Sequence, residues 1–422
     1  MAKIAGTFRQ FLLKNCYNFP AVFLYLPKIT GNMQTLITLF RQNLELTPMA
    51  FLRSFHSKIN WDCRLIGILG QKGVGKSTLM LQHIKQNDDL SETLYVSADD
   101  IYFSTHSLFS LAYEFHSKGG RKLYIDEIHK YRGWSQQIKQ IYDQLPLLKV
   151  VYSGSSILDL ERGGGDLIRR TIEYHLPVLS FREYLNLRNG WNLETAGLDE
   201  ILAGKVDFPY GEYRPLKYFE EYKQCGCYPF FNEPEFAIRL RRVISTTVEY
   251  DIPKFAEMTL ASTDKLKKLM YYISQSVPVK INYSQMERDL GLDRNELPKY
   301  IEYLEKAELL TALRLKTNGD SILRKMDKIY LENSNMLQVL GGDDSNVGNI
   351  RETLFLCWMK RGFDVLESPV SDFEIDGKTF EVGGKSKGKK QILSAAEGYI
   401  VKDDIEYAYE NQIPLWMFGF IY

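Results

Sequence analysis

The octapeptide GQKGVGKS, residues 70–77, constrains this chain more than any other stretch. It matches G-x-x-x-x-G-K-[S/T] in full, follows a run that predicts a strand (RLIGILG, 64–70) and opens a stretch that predicts a helix (STLMLQHIKQ, 77–86). In such a loop the glycines let successive backbone N–H groups face phosphate oxygens, and the helix N-terminus favours negative charge. The candidate nucleotide-binding residues are Gly70, Gln71, Lys72, Gly73, Val74, Gly75, Lys76, Ser77 and Thr78. We expect Lys76 to reach the β- and γ-phosphates of ATP and Ser77 to ligate Mg²⁺.

A second motif, KLYIDEIHKY at residues 122–131, complements this loop. Its apolar part predicts a strand that ends at Asp126, and ligands of open α/β sheets bind beyond the carboxyl ends of the strands. Asp126 is therefore the candidate Mg²⁺ ligand, and Glu127 is the candidate catalytic residue that activates the attacking water. The same sequence is compatible with an ordinary strand end that carries surface acids. The phosphate loop upstream favours the metal-binding and catalytic roles instead.

Two further candidates follow along the chain. The run VVYSGSS (150–156) predicts a strand that ends in hydroxyl side chains, so Ser153, Ser155 or Ser156 can contact the γ-phosphate or the water; a plain turn is the alternative. The stretch DLIRRT (166–171) places Arg169 and Arg170 before the next predicted strand. An arginine there can neutralise charge on the γ-phosphate in its own subunit or in a neighbour, although a structural arginine fits equally well.

The spacing of apolar runs predicts the fold. Five short strands (64–70, 93–99, 122–128, 149–156 and 171–180) alternate with helical stretches, which is typical of a parallel sheet covered by helices. The chain is thus predicted to be an α/β protein with a P-loop NTPase sheet, a helical extension, a winged helix-turn-helix and a C-terminal α/β nuclease-like domain. The predicted parts are an extension outside the fold (1–32), the ATPase domain with its helical extension (33–260), the winged helix (261–335) and the nuclease-like domain (336–422).

Several of these motifs together resemble the AAA-type P-loop ATPases of bacteria and archaea that carry a C-terminal uncharacterised, restriction-endonuclease-like domain. The resemblance covers residues 33–422 and is carried by GQKGVGKS, LYVSADDIYF, LYIDEIHKY, VVYSGSS, LPVLSFREYL and FEVGGKSKGKKQI. It implies that Lys76 and Ser77 contact phosphate and Mg²⁺, that Asp126 and Glu127 are the metal and water-activating acids, and that Ser153 lies in the sensor strand. That family usually has Gly-Arg where this chain has Arg169-Arg170, so the resemblance makes Arg170 the catalytic arginine.

The C-terminal stretch SDFEIDGKTFEVGGKSKGKK (371–390) raises a nuclease hypothesis. Restriction-type nucleases hold a metal ion with an Asp on one strand and a Glu-x-Lys on the next. Asp372 and Glu381 fit that spacing and Glu352 is a third acid, but Gly383 stands where the lysine belongs. We therefore expect this domain to be inactive. The lysines downstream can instead contact nucleic-acid phosphates or form a solvated turn: Lys385, Lys387, Lys389 and Lys390.

The charge of the chain bears on whether its partner is a nucleic acid, a membrane or a protein. The chain carries 53 basic and 53 acidic residues, so nothing global attracts it to nucleic acid or to an anionic membrane. The predicted reading helix region, 293–308, carries more acids than bases, which disfavours groove binding and favours a packing role. The hypotheses are an ATPase linked to nucleic acid, a nucleotide-dependent switch for a protein partner and, ranked lower, an ATP-gated metal nuclease. Homo-oligomerisation is compatible with each.

The remaining composition points to the cytoplasm. The five cysteines show no zinc-site spacing and are interpreted as reduced thiols: Cys16, Cys63, Cys225, Cys227 and Cys357. No apolar run reaches the ~18 residues needed to cross a bilayer. A cytoplasmic protein without a membrane partner is therefore expected.

Overall fold

The computed structural model describes residues 32–156, 167–209, 213–315, 326–341, 347–384, 388, 392 and 395–422. The predicted N-terminal extension lies outside the described residues except for Asn32, whose side chain caps the first helix by accepting from Thr35 N at 3.0 Å. Within the described ranges, none of the helices is both long and apolar enough to cross a bilayer.

A five-stranded parallel sheet forms the N-terminal half. Its strands are β1 (Leu65–Leu69), β2 (Thr93–Ser97), β3 (Lys122–Asp126), β4 (Lys149–Gly154) and β5 (Ile172–His175), in the order β2-β3-β4-β1-β5. Leu65–Leu69 is buried throughout, as expected for a parallel strand covered on both faces. The predicted parallel sheet is confirmed. Because β4 lies between β1 and β3, the loop after β1, Asp126 and Ser153 all meet at the carboxyl edge.

Helices cover both faces of this sheet. They are α1 (Met33–Leu46), α2 (Lys76–Asn87), α3 (Leu108–Ser117) and α4 (Trp134–Gln144). The helix α3 begins with a capping box between Ser107 and Ser110, and α4 turns Ile138 and Ile141 into the core. This part of the chain therefore buries its apolar stripes against one sheet.

A mostly helical segment follows β5, as predicted. It contains α5 (Phe181–Asn189), α6 (Leu198–Leu202), α7 (Pro215–Cys225), α8 (Phe236–Thr246), a π-helical turn (Thr247–Asp251) and α9 (Ile252–Phe255). Ser180 caps α5 by accepting from Glu183 N at 3.2 Å. The turn after α7 carries Tyr228, Pro229 and Phe230 towards the loop that follows β1.

The C-terminal half is built on one mixed sheet of eight strands. Its helices are α10 (Leu260–Ser276), α11 (Tyr283–Leu290), α12 (Leu297–Lys306), α13 (Ser334–Gly341) and α14 (Val347–Met359). Its strands are β6 (Val279–Lys280), β7 (Leu310–Leu315), β8 (Met326–Leu331), β9 (Leu366–Glu367), β10 (Phe373–Ile375), β11 (Lys378–Gly383), β12 (Gly398–Lys402) and β13 (Gln412–Pro414). The order is β13-β12-β11-β10-β9-β7-β8-β6.

That sheet crosses the boundary placed between residues 335 and 336. The strand β7 pairs antiparallel with β8 on one side and parallel with β9 on the other, with Arg314 opposite Leu366. The predicted order of helix, strand, two helices and hairpin is present before the boundary. The two C-terminal parts nevertheless share backbone hydrogen bonds, so any motion between them must bend or break this sheet.

Buried polar contacts join the two halves of the molecule. Trp358 Nε1 donates to Tyr222 Oη at 3.1 Å, and Ser180 Oγ donates to the backbone oxygen of Tyr422 at 2.7 Å. Lys223 pairs with Asp403 at 3.1 Å, and both side chains are buried. A buried charge needs a partner, so this pair fixes the position of α7 against the loop after β12.

Candidate functional site

The loop after β1 adopts a backbone that needs its glycines. Gly70, Gly73 and Gly75 have φ values of +147°, +84° and +98°. A Cβ on Gly70 would lie 2.5 Å from the Leu176 carbonyl oxygen, and one on Gly73 would lie 2.6 Å from the Phe230 ring. Both the backbone angle and the neighbouring atoms therefore exclude larger residues. The loop ends at Gly75, and α2 begins at Lys76 with Ser77 and Thr78 in its first turn.

Lys76 is folded onto its own loop. Its Nζ donates to the carbonyl oxygens of Gly70 and Gln71, both at 2.8 Å, and the side chain is buried. Burial lowers its pKa, while the carboxylates of Glu127 and Asp126 oppose that shift. The ammonium thus faces two acids across the cleft and is the natural partner for an anion that enters between them.

Asp126 is held by hydroxyl groups at the end of β3. Tyr95 Oη donates to Asp126 Oδ2 at 2.6 Å, and Ser153 Oγ donates to Oδ1. The pKa of Tyr95 is raised by burial and by the Asp126 charge. Asp126 and Ser153 are therefore in direct contact, and Ser77 lies in the first turn of α2. Tyr95 also contacts Asp126; it lies in the run LYVSADDIYF, but that run gave it no role, and only its place in a buried strand next to β3 could have suggested one.

Glu127 borders the cleft in an unusual backbone conformation. Its φ and ψ are 50° and 41°, and its backbone N lies 3.1 Å from both Asp126 Oδ1 and Ser153 Oγ. Burial raises the pKa of its carboxyl, and the Lys76 ammonium opposes this. Left-handed backbone at a non-glycine residue is costly and is often found at functional sites. The turn directs this side chain to the same cleft as Lys76.

The cleft has a volume of about 560 Å³ and an apolar end that sequence reasoning missed. Beyond the loop, its walls include Phe51, Leu187 and Phe230. The chain at Phe51 is fixed by Gln82 Nε2, which donates to the carbonyl oxygens of Pro48 and Phe51 at 2.7 and 2.8 Å. No motif marks these residues, because they come from three distant segments. An apolar chamber next to a phosphate-type loop has the shape and polarity suited to a nucleoside.

Two predicted loop residues point away from the cleft towards other parts of the chain. The Gln71 side chain accepts from Tyr228 Oη at 2.7 Å and donates to the backbone carbonyl of Glu308. Lys72 Nζ pairs with Asp251, which is buried in the π-helical turn. The loop is therefore tied to the helical segment and to the C-terminal half through its own side chains.

Arg169 and Arg170 are not brought to this cleft. They precede β5, and because β5 runs parallel to β1 they lie at the amino edge of the sheet, opposite the loop. Arg170 instead pairs with Asp143 near the end of α4, with Nε 3.1 Å from Oδ1. Contact between Arg170 and a phosphate bound in its own chain is absent from this geometry.

The C-terminal acids do not form a metal-ligand group among the described residues. The only such cluster there, with ligand atoms within 4.8 Å of one another, is Glu220, Asp403 and Asp404. Asp372 Oδ2 accepts from Val382 N at 2.8 Å, buried Glu381 accepts from Ser371 Oγ, and Glu352 Oε2 accepts from Tyr330 Oη at 2.9 Å. The lysines proposed for phosphate contact (Lys385, Lys387, Lys389 and Lys390) lie outside the described residues.

Comparison with known proteins agrees with the N-terminal half of this description. Residues 62–185 match the family model described as AAA domain, and residues 217–346 match a domain of unknown function, DUF8612. With the parallel sheet and its phosphate-type loop, the first match supports a nucleotide-binding, AAA-type P-loop ATPase domain. The second match names no activity and begins in the helical segment, so it does not separate that segment from the C-terminal half.

Matches to longer parts of the chain add little about activity. An uncharacterised protein of Methanocaldococcus jannaschii is 25% identical over 386 residues, which cover 81% of each chain. Among solved structures, a katanin from a study of its self-assembly has a TM-score of 0.25 with 14% identity, covering 46% of this chain and 68% of its own. DnaA from Aquifex aeolicus, bound to AMPPCP, has a TM-score of 0.25 with 17% identity, covering 64% and 86%. Likeness at this TM-score carries no argument about the present site.

Proposed function

We propose that this chain binds ATP with Mg²⁺ and hydrolyses it at the cleft between the loop after β1 and Glu127. The observation that carries the proposal is that Lys76, Ser77 and Glu127 line one cleft with an apolar end, while the buried Asp126 interacts electrostatically with Lys76. Ser77 and Asp126 offer the oxygen ligands that Mg²⁺ takes in proteins. When bound there, the ion supplies charge neutralisation for the phosphates.

The residues divide the chemistry between them. Backbone N–H groups of the loop and Lys76 hold the β- and γ-phosphates, while Phe51, Leu187 and Phe230 enclose the base. A water attacks the γ-phosphorus, its proton passes to the Glu127 carboxylate, and the bond to the β–γ bridging oxygen breaks to release ADP and phosphate. A carboxyl whose pKa is raised by burial is a better proton acceptor than an ordinary one.

A pair of substitutions tests this proposal. Lys76→Ala is expected to abolish ATP binding, and Glu127→Gln is expected to keep binding and stop hydrolysis. The matched controls are Lys118→Ala and Glu114→Gln, which alter an exposed ion pair on α3. Binding is measured by titration with a labelled ATP analogue and turnover by phosphate release. Normal turnover in either site variant contradicts the proposal.

Arg170 enters the proposal only through a second copy of the chain, because it lies at the opposite edge of its own sheet. The test is complementation between two inactive variants. Arg170→Ala retains an intact cleft and Lys76→Ala retains an intact arginine, so mixing them restores turnover if the arginine acts between copies. Mixtures that stay inactive, or Arg170→Ala that is active alone, remove Arg170 from the catalytic residues.

Coupling of turnover to the C-terminal half is the second part of the proposal. It is supported by Gln71, whose side chain touches Tyr228 and Glu308, and by Asn333, which donates to Tyr228 Oη at 3.0 Å. A movement of the loop on nucleotide exchange therefore reaches the segment between α12 and β7, and the start of α13, through hydrogen bonds. ATP-dependent change in hydrogen exchange at residues 305–311 is the expected outcome; identical exchange with and without nucleotide contradicts it.

The partner moved by that coupling separates two candidate functions. A helix-turn-helix order and a nuclease-like scaffold favour nucleic acid. Against this, α12 buries Tyr300, Ile301 and Leu304, and the region 293–308 around it carries more acids than bases, which favours a switch for a protein partner. Turnover stimulated by DNA across several salt concentrations supports the first, and partner-dependent turnover that ignores DNA supports the second. An ATP-gated nuclease requires Mg²⁺- or Mn²⁺-dependent cleavage that Asp372→Ala abolishes.

A further inference from the structure

His129 lies directly behind the proposed catalytic carboxylate. It follows Glu127 by two residues in the one-turn helix Ile128–Lys130 and is 3% exposed. Its Nε2 is 3.2 Å from Glu127 Oε2, but the contact lacks hydrogen-bond alignment, and neither ring nitrogen has another hydrogen-bond partner among the described residues. Buried polar atoms are satisfied in most folded proteins, so a histidine with two unmatched nitrogens calls for a physical reason.

The surroundings of the ring keep it uncharged. Burial lowers the pKa of His129 to about 3, and four lysines act in the same direction: Lys130, Lys72, Lys76 and Lys254. On its other side the ring faces Phe255, with centroids 6.2 Å apart, and Lys254 Nζ lies 3.5 Å from the His129 carbonyl oxygen. The neutral ring carries one N–H and one bare nitrogen, so it can donate a hydrogen bond without adding a positive charge beside Glu127.

A neutral hydrogen-bond donor suits a carboxylate that acts as a general base. An imidazolium would pair with the carboxylate and lower its pKa, which weakens it as a proton acceptor. A neutral N–H fixes the direction of one carboxylate oxygen and leaves the other available. Second partners of this kind usually act by orienting the reacting group.

We propose that His129 is a positioning residue for Glu127: when nucleotide binds, its Nε2–H donates to Glu127 Oε2 and turns Oε1 towards the attacking water. This inference rests on the proposed ATP hydrolysis at the same cleft. It assigns no chemistry to His129 itself, because the ring lies behind Glu127 and neither donates a proton to the phosphates nor accepts one from the water. A histidine that served only to fill space would be replaceable by any apolar side chain of similar size.

Three substitutions separate positioning from space filling. His129→Leu keeps the volume and removes the donor, His129→Gln places an amide N–H near the position of Nε2, and His129→Asn carries the same amide one methylene too short. We expect kcat to fall about ten- to a hundred-fold in the Leu and Asn variants, with the Kd for an ATP analogue unchanged, and to be largely restored in the Gln variant. His116→Leu, at the far end of α3, is the matched control.

The outcomes decide the inference whichever variant folds. Wild-type kcat in His129→Leu overturns it, and so does equal loss in the Gln and Asn variants, which are both polar and differ only in reach. A second measurement is independent of hydrolysis. The imidazole ¹⁵N resonances of His129 should report an Nε2–H tautomer that shifts when the analogue binds, and the shift should vanish in Glu127→Ala.

That spectroscopic measurement also distinguishes failure of the proposed ATP hydrolysis from failure of the positioning role of His129. If analogue binds and the resonance shifts, but Glu127→Gln hydrolyses ATP normally, the proposed function is wrong while the His129–Glu127 contact stands. If Glu127→Gln is inactive as expected and the His129 resonance does not respond to the analogue, the inference alone is overturned.

Discussion

Arg53 and Glu183, 130 residues apart in the chain, form a buried ion pair beside the loop after β1 (70–75), hereafter the nucleotide loop. Arg53 Nε lies 3.0 Å from both carboxylate oxygens. The same guanidinium donates to the Val74 carbonyl oxygen at 2.8 Å and to that of Pro177 at 2.8 Å. One side chain therefore fixes the loop, the segment after β5 and the helix α5 in a single arrangement. Arg53 also lines the cleft, so these buried hydrogen bonds stabilise one of its walls.

Removing Arg53 should destabilise the whole N-terminal half. In Arg53→Met the carboxylate of Glu183 stays buried without its cation, and breaking a buried pair in this way typically costs about 3–5 kcal/mol. Denaturant unfolding measures the loss. Lys118→Met, in the exposed pair with Glu114, is the control and should change the free energy of unfolding by less than about 1 kcal/mol. Equal effects in the two variants contradict the importance assigned to the buried pair.

Acid should weaken the fold through a different buried group, His83 on α2. Its pKa is lowered from 6.5 to about 4, first by burial, while Asp88 opposes the shift and His56 adds to it. The folded state thus binds fewer protons than the unfolded state between these values. Its contribution to stability is complete above pH 6.5 and falls as the pH drops towards 4. In His83→Gln the free energy of unfolding should depend less steeply on pH in this window; an unchanged slope refutes the prediction.

The loop after β1 and the two acids at the end of β3 could be located from the sequence because each lies in one short, continuous motif. Gly70 to Thr78 form one motif, and Asp126 with Glu127 form another. The strand order then brings them together without further information, since carboxyl ends of parallel strands share an edge. The direction of β5 also implied that Arg170, which precedes it, lies at the opposite edge, although the sequence reasoning did not use that argument.

The walls of the cleft were not predictable in the same way. Phe51, Leu187 and Phe230 become neighbours only when three distant segments pack together. No local sequence pattern predicts such a contact. From the sequence, Tyr95 is predicted to be an ordinary core residue of a buried strand. Only the structure shows that its hydroxyl donates a hydrogen bond to Asp126. The sheet shared across residue 335 was missed because β9 is two residues long and carries no strand pattern of its own.

Phe51 offers a test of the apolar end. If it contacts the adenine base, Phe51→Ala should weaken ATP and ADP binding about ten-fold or more, because aromatic stacking on a base contributes about 1–3 kcal/mol. Competition by inorganic triphosphate should be unchanged, since that probe has no base. Phe109→Ala, a half-buried phenylalanine on α3, serves as the control. A parallel loss of triphosphate and ATP affinity shows instead that Phe51 supports the loop.

Gly73 should tolerate no side chain. In Gly73→Ala the new methyl group meets the Phe230 ring at 2.6 Å and the backbone stays at φ +84°, so the loop is displaced and nucleotide binding is lost. Gly133→Ala is the matched control, since Gly133 has φ +73° but nothing within 4 Å of an added Cβ. It should cost about 1–2 kcal/mol of stability and leave the nucleotide Kd unchanged. A second change, Phe230→Ala, should partly restore binding of inorganic triphosphate to Gly73→Ala, since that probe has no base for Phe230 to contact; triphosphate binding retained without the second change contradicts the predicted clash.

Tyr228 is the residue through which we expect the loop and the C-terminal half to sense one another. It is fully buried, and its hydroxyl donates to Gln71 and accepts from Asn333. Tyr228→Phe keeps the ring but leaves both partners short of a hydrogen bond, which should cost about 1–3 kcal/mol in unfolding. Tyr113→Phe, at an exposed site, should change stability by less than about 0.5 kcal/mol.

The decisive measurement in Tyr228→Phe is the response to nucleotide. Because the aromatic packing around Phe230 is retained, the ATP-analogue Kd should change little. The nucleotide-dependent hydrogen exchange at the start of α13 should shrink, since the route from Gln71 through Tyr228 to Asn333 is cut, while residues 305–311 should keep their response through the Gln71 contact with Glu308. A variant that is destabilised but transmits the full exchange difference limits Tyr228 to a packing role and moves the coupling to Glu308 or to the Lys72–Asp251 pair.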